Sequence, residues 1–142
     1  MLNYCLKNVN ALIYFILGTC ILSCTTSPTA YSEGRYLFEV NCSSCHGKNA
    51  EGLGSWYPSL MDTEFIKANR IYLSSFIKNG IRNDSNSFHK LRLGNVEMPA
   101  NKSLKDADIC NILNYLNDRF WRLEPFTLQE IKSDKSPDLQ LK

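Results

Sequence analysis

Cys42-Ser43-Ser44-Cys45-His46 is the stretch from which the rest of the chain is read. Two thiols two residues apart, with a histidine directly after the second, form the attachment signature of a c-type haem. The chemistry explains the spacing. Cysteines one short turn apart can add across the two vinyl groups on one edge of a porphyrin, and the next side chain then reaches the iron through an imidazole nitrogen. A zinc site would need two more ligands at ribbon or finger spacing. The remaining cysteines, Cys5, Cys20, Cys24 and Cys110, supply no second pair at that interval. A thioredoxin-like redox pair follows a strand in a βαβ pattern, whereas Gly34 to Val40 ahead of this motif reads as helix. Haem is therefore the first reading.

The 142 residues leave room for one domain. The chain starts with a polar stretch carrying one lysine, Lys7, then a compact apolar block from Ala11 to Leu22. Ser23-Cys24-Thr25-Thr26-Ser27 turns abruptly small and polar. That layout predicts a secretory signal over residues 1–23. The apolar block is short of the roughly 20 residues a permanent membrane span needs, so cleavage is favoured over a retained anchor. Ile21-Leu22-Ser23-Cys24 resembles the lipobox of bacterial lipoproteins, which implies an acylated Cys24 as the mature N-terminus. Simple secretion, with Cys24 incidental, is the alternative. Both routes lead to an oxidising, extracytoplasmic compartment.

Sixteen basic residues face fourteen acidic ones. Loss of Lys7 with the signal leaves fifteen against fourteen, so no nucleic-acid partner is implied. Residues 24–33 read as the anchor cysteine and a short linker. Leu37, Phe38 and Val40 lie close to one face of a first helix, and Gly47, Gly52 and Gly54 make a loop after the motif. Asp62 or Thr63 caps a turn of helix, and Ile71, Tyr72, Ser75 and Phe76 lead to a glycine stop at Gly80. Asn83 to Ser87 reads as a polar loop. Ser103 opens the last strong helix, whose apolar face runs through Ile109, Ile112, Leu113, Leu116 and Phe120. Phe126 to Glu130 predicts one more capped turn. Nothing alternates with period two for long, so the expected fold is all-α, with loops wrapped around the cofactor.

These residues resemble the class I, single-haem cytochrome c family of bacteria from Gly34 to about Phe120. Gly34 and Phe38 stand eight and four residues before Cys42, as do the glycine and aromatic of that family's first helix. Ile112 and Tyr115 occupy the matching places on its last helix. The resemblance implies that the N- and C-terminal helices cross closely at Gly34, around one covalent haem c held by Cys42 and Cys45. It implies that Pro58, twelve residues after His46, accepts the ligand histidine's other N–H. It also implies that Met98, in Met98-Pro99-Ala100 with Gly94 before it, supplies the second axial ligand opposite His46. A His/Met pair raises the reduction potential relative to His/His. His89 and Met61 are the rival ligands, with weaker contexts. On this reading residues 34–120 are the cytochrome domain, and 121–142 are an extension, partly packed on it with a disordered tail.

The expected function is transfer of one electron between extracytoplasmic redox partner proteins, with no substrate transformed and Cys24 holding the protein to the membrane. Two alternatives stay open. The chain could be the cytochrome subunit of a larger oxidoreductase, or a haem sensor or peroxidase-like protein with an open sixth position. Trp56, Tyr57, Tyr72 and Phe76 are candidates for the haem wall, and Cys110 reads as an inert, buried thiol.

Overall fold

The computed structural model describes residues 31–81 and 96–133. The signal segment, Cys24, the polar loop at Asn83 to Ser87, His89, Gly94 and the chain beyond Ser133 lie outside the described residues. Six α-helices appear among those described. They are α1 (Ser32–Asn41), α2 (Ser43–His46), α3 (Thr63–Asn69), α4 (Leu73–Asn79), α5 (Asp106–Leu116) and α6 (Leu128–Lys132). A 3-10 turn at Arg70–Tyr72 leads into α4, and α5 widens into a π-type turn at Asn117–Trp121. No strand occurs in these residues, only two isolated bridges, Leu53 with Tyr57 and Ile81 with Met98. These residues are all-α, as the sequence pattern predicts.

The pairing of α1 with α5 organises the rest. Gly34 sits where the helices meet: a Cβ there would collide with the Asn111 carbonyl oxygen and stand 2.6 Å from its carbon. Only glycine allows that approach. One turn on, Phe38 is fully buried and its ring lies 5.8 Å from that of Tyr115. Ile109, Ile112, Leu113 and Leu116 line the inner face of α5 and join Phe38, Ile66, Leu73 and Phe76 in one core. The 3.6-residue period makes this face continuous.

Helix α5 starts two residues later than the sequence pattern suggested. Lys105, not Ser103, is the N-cap, and its backbone N–H donates to the Asp108 carboxylate at 2.8 Å. The Ser103 hydroxyl instead donates to the Asn101 side-chain oxygen. Asp106 and Asp108 put acidic charge at the helix N-terminus, where the macrodipole favours it.

Past α5 the chain reverses at Arg122, which has a left-handed φ of 55°. Two asparagines, Asn114 on α5 and Asn117 at the start of the π-type turn, bond the returning segment as a backbone would. Asn117 exchanges both bonds with Leu123, and Asn114 does the same with Phe126, at 2.8 to 2.9 Å. The Thr127 hydroxyl caps α6 by accepting from Glu130 N–H. Arg70 latches this return. Its guanidinium donates to both Glu130 carboxylate oxygens and to the Glu124 and Pro125 carbonyls, and lies 3.8 Å over the Phe126 ring. Trp121, Phe126 and Ile131 are consequently part of the core.

Candidate functional site

The Cys-Ser-Ser-Cys-His run sits at a break in a helix. Cys42 ends α1, its N–H still bonded to the Phe38 carbonyl, and its own carbonyl accepts from the N–H groups of Cys45 and His46. The short α2 therefore turns both thiols and the imidazole toward the same cavity wall. Burial pushes the Cys42 thiol up to about 11, so as a free thiol it stays protonated at neutral pH.

His46 is 9 % exposed. Its Nδ1 lies 3.1 Å from the Pro58 carbonyl oxygen, which can only accept, so the proton resides on Nδ1 and Nε2 keeps its lone pair. Burial lowers the histidine pKa, and the bond to Pro58 partly opposes that. The neutral ring, the form that ligates a metal, is thus the favoured one. The loop that delivers Pro58 is stiffly held. Gly52 N–H donates to the His46 carbonyl, Leu53 pairs with Tyr57, and Leu60 N–H donates to the Ala50 carbonyl. The Trp121 indole N–H adds a 2.6 Å bond to the Leu60 carbonyl.

Met98 arrives from the other side of the chain. Its backbone exchanges 2.8 and 3.0 Å hydrogen bonds with Ile81, just beyond the end of α4. Pro99 follows and removes one rotatable φ from the segment.

These pieces converge on a cleft with two lobes. The smaller, about 170 Å³, is lined by Cys42, Cys45, His46, Pro58 and Met98 among others. The larger, about 490 Å³, shares Cys42, His46, Pro58 and Met98 and extends inward over Phe38, Leu73, Phe76, Leu116 and Trp121. That volume lies within the range of about 300–1,000 Å³ usual for cofactor sites. The residues fit a covalent porphyrin: two thiols on the rim, a neutral imidazole with one free nitrogen, a thioether and a mostly apolar wall. That wall is broken by Asn41, Glu97 and Asn101 in the smaller lobe and by Ser59, Asp62 and Asn69 in the larger.

The sequence-chosen aromatics divide. Tyr57 and Phe76 line the cleft, Tyr72 packs tilted against Phe76 at 6.4 Å instead, and Trp56 is 61 % exposed. Met61 is 43 % exposed and lines neither lobe. Trp121 is the wall residue that sequence reading passed over. It stands five residues after Leu116, off the helical face, and the π-type turn brings it back to the cavity. Cys110 faces away, its Sγ 3.4 Å from the Phe126 carbonyl and accepting from Asn114. No other cluster of candidate metal ligands occurs among the described residues.

No curated protein matches the chain. A family described as cytochrome c oxidase, cbb3-type, subunit III matches residues 29–116, which is more than half the chain and runs from just before α1 to the end of α5. The matched span holds both thiols, His46, Pro58 and Met98 and ends before the Trp121 return. A family match of that extent, laid over crossed helices and a cleft rimmed by CxxCH, shows that this chain belongs to the cbb3-type cytochrome c family, a class I cytochrome with covalently bound haem c.

Proposed function

We propose that the protein carries one haem on Cys42 and Cys45, with His46 and Met98 as axial ligands, and passes single electrons between extracytoplasmic redox partners. The observation that carries this is the convergence of all four side chains, from two separate chain segments, on one apolar cleft. When bound, the haem supplies an iron that alternates between ferric and ferrous. The protein's part would be to keep the same two side chains, His46 and Met98, available to that iron in both states. Pro58 keeps the His46 ring oriented and electron-rich. Met98 offers a soft, neutral sulfur that favours the ferrous form. The apolar wall excludes water, which also favours the state of lower net charge.

Spectra of the matured protein test the reading. A His/Met centre gives a weak far-red band in the ferric state and a ferrous state that resists carbon monoxide. Met98→Ala should abolish the band, open the site to carbon monoxide and lower the potential markedly. Retention of the band in that variant would sink the assignment, and ready carbon monoxide binding by the unaltered protein would point to an open sixth position instead.

Service within a larger oxidoreductase is the second reading, favoured by the family's description as an oxidase subunit. Comigration of the haem with an oxidase-sized complex on native gels of gently solubilised membranes supports it; migration as a free small protein supports a mobile carrier. For the anchor, no described helix is long and apolar enough to cross a membrane, and the lipobox-like Ile21 to Cys24 provides the attachment in our reading. Cys24→Ala should move the haem protein from the membrane to the soluble fraction; unchanged fractionation would exclude lipidation.

A further inference from the structure

Gly80 ends α4 with a φ of +73°, and such a residue is ordinarily explained as a helix stop. Its surroundings say more. A Cβ at Gly80 would collide with the Met98 carbonyl oxygen and stand 2.7 Å from the Ala100 nitrogen and 3.0 Å from the Pro99 carbonyl carbon. All three are main-chain atoms of the segment that carries the Met98 sulfur. None can swing aside as a flexible side-chain end could, so any side chain here must displace that segment.

The neighbouring contacts make the fit a fastening. Ile81 exchanges both backbone bonds with Met98, and one turn back the Ile77 carbonyl accepts the Asn101 N–H at 2.9 Å. From the opposite side the Asn101 amide donates to Asn41 at 3.2 Å, the residue before Cys42, while Ser103 donates to the Asn101 oxygen. The Met98 segment is thus tied to the end of α4 by main chain and to the CxxCH turn by Asn101.

We infer that Gly80 is a positioning residue for Met98, its missing Cβ setting how far the methionine segment can approach α4 and hence where the sulfur enters the cleft. The inference rests on the ligand role proposed for Met98. A thioether is a weak iron ligand, so it needs a segment held in place by the fold. Main-chain bonds to Ile81 and Ile77 supply that hold at the end of α4, and the Asn101 side chain adds the tie to Asn41.

With a ψ of −178° beside its positive φ, Gly80 lies in a backbone region that side-chain-bearing residues avoid. Any substitution there therefore adds strain as well as a Cβ. Gly54→Ala is the control, also at positive φ (+53°) but with open space around the added Cβ. It should keep the parent's far-red band, and loss of the band there too overturns the inference. Gly80→Asn and Gly80→Ala, matured with haem, should keep the parent's covalent haem content and far-ultraviolet circular dichroism. They should lose most of the far-red ferric band, bind carbon monoxide when ferrous and show a lower potential. A full band in Gly80→Asn, with carbon monoxide still excluded, overturns the inference and leaves Gly80 a helix stop. Should neither variant accumulate as a haem protein, Asn101→Ala, which cuts the tie to Asn41, should lose the far-red band under milder alkaline conditions than the parent; an unchanged transition overturns the inference. Absence of the band from the parent, or its survival in Met98→Ala, overturns the ligand assignment and this inference together. A band present in the parent, lost in Met98→Ala and intact in Gly80→Asn overturns this inference alone.

Discussion

Two cysteines on the domain illustrate how burial and partners, not residue type, set behaviour. Cys42 sits on the rim of the cleft beside Cys45. Cys110 lies on α5, where burial and the nearby Glu130 carboxylate both raise its thiol pKa, against a smaller lowering by the Asn114 amide. The thiolate is the reactive form, so Cys110 should alkylate slowly at neutral pH and faster as pH rises. Peptide mass spectrometry of the haem protein after iodoacetamide at several pH values checks this; fast labelling at neutral pH would contradict the geometry. His46 shows the same logic at the cofactor, since the Pro58 carbonyl decides which ring nitrogen keeps its proton. The motif located His46 and the twelve-residue interval pointed to Pro58. The loop bonds through Ala50 and the Trp121 indole, which hold Pro58 there, were not legible, because they join residues far apart in the chain.

Between elements, the α1 and α5 crossing carries the most consequence. Gly34→Ala puts a methyl against the Asn111 carbonyl of a backbone that cannot move alone. Overpacking of this kind costs typically about 1–3 kcal/mol, so the midpoint of denaturant unfolding should fall by a corresponding amount, with haem still attached. The return after α5 depends on side chains acting as backbone. Asn114→Ala strands the Phe126 N–H in a part-buried place and leaves its carbonyl with only the weak Cys110 thiol donor, at a cost of about 1–3 kcal/mol for the group left unsatisfied. Chemical denaturation should show that loss, and a stability equal to the parent's would rule out the zipper. The sequence pattern marked both helices correctly and misplaced the start of α5 by two residues. Ser103 looks like a cap, yet its hydroxyl is engaged by Asn101, and Asp108 serves Lys105 instead.

Across the whole molecule, the chain past Leu116 closes the inner lobe. Trp121 lines the larger cavity, Phe126 packs edge-on against it at 6.1 Å, and Arg70 latches the segment through Glu130. The Arg70 and Glu130 side chains are only 22 % and 26 % exposed, so the pair is shielded more than a surface ion pair. Glu130→Gln keeps the shape and removes the charge. It should cost about 1–3 kcal/mol in unfolding and leave the haem's axial ligand spectrum intact, since no ligand touches the latch. Loss of the far-red band in that variant would show that the return segment, not Gly80 and Ile81, governs Met98.

Local chemistry explains what could be read without coordinates. A haem-attachment signature needs only two thiols and an imidazole within five consecutive residues, so it can be read directly at Cys42 to His46. Helical periodicity marks the inner face of α5, although Val40, read onto the inner face of α1, is exposed. Met98 and Pro58 were reachable only through resemblance to a family. Tertiary structure alone decided how Met98 is held, that Trp121 lines the cleft, and that Gly80 matters beyond ending a helix. Each depends on contacts between segments distant in sequence, where excluded volume and hydrogen-bond closure act and no spacing along the chain records the outcome.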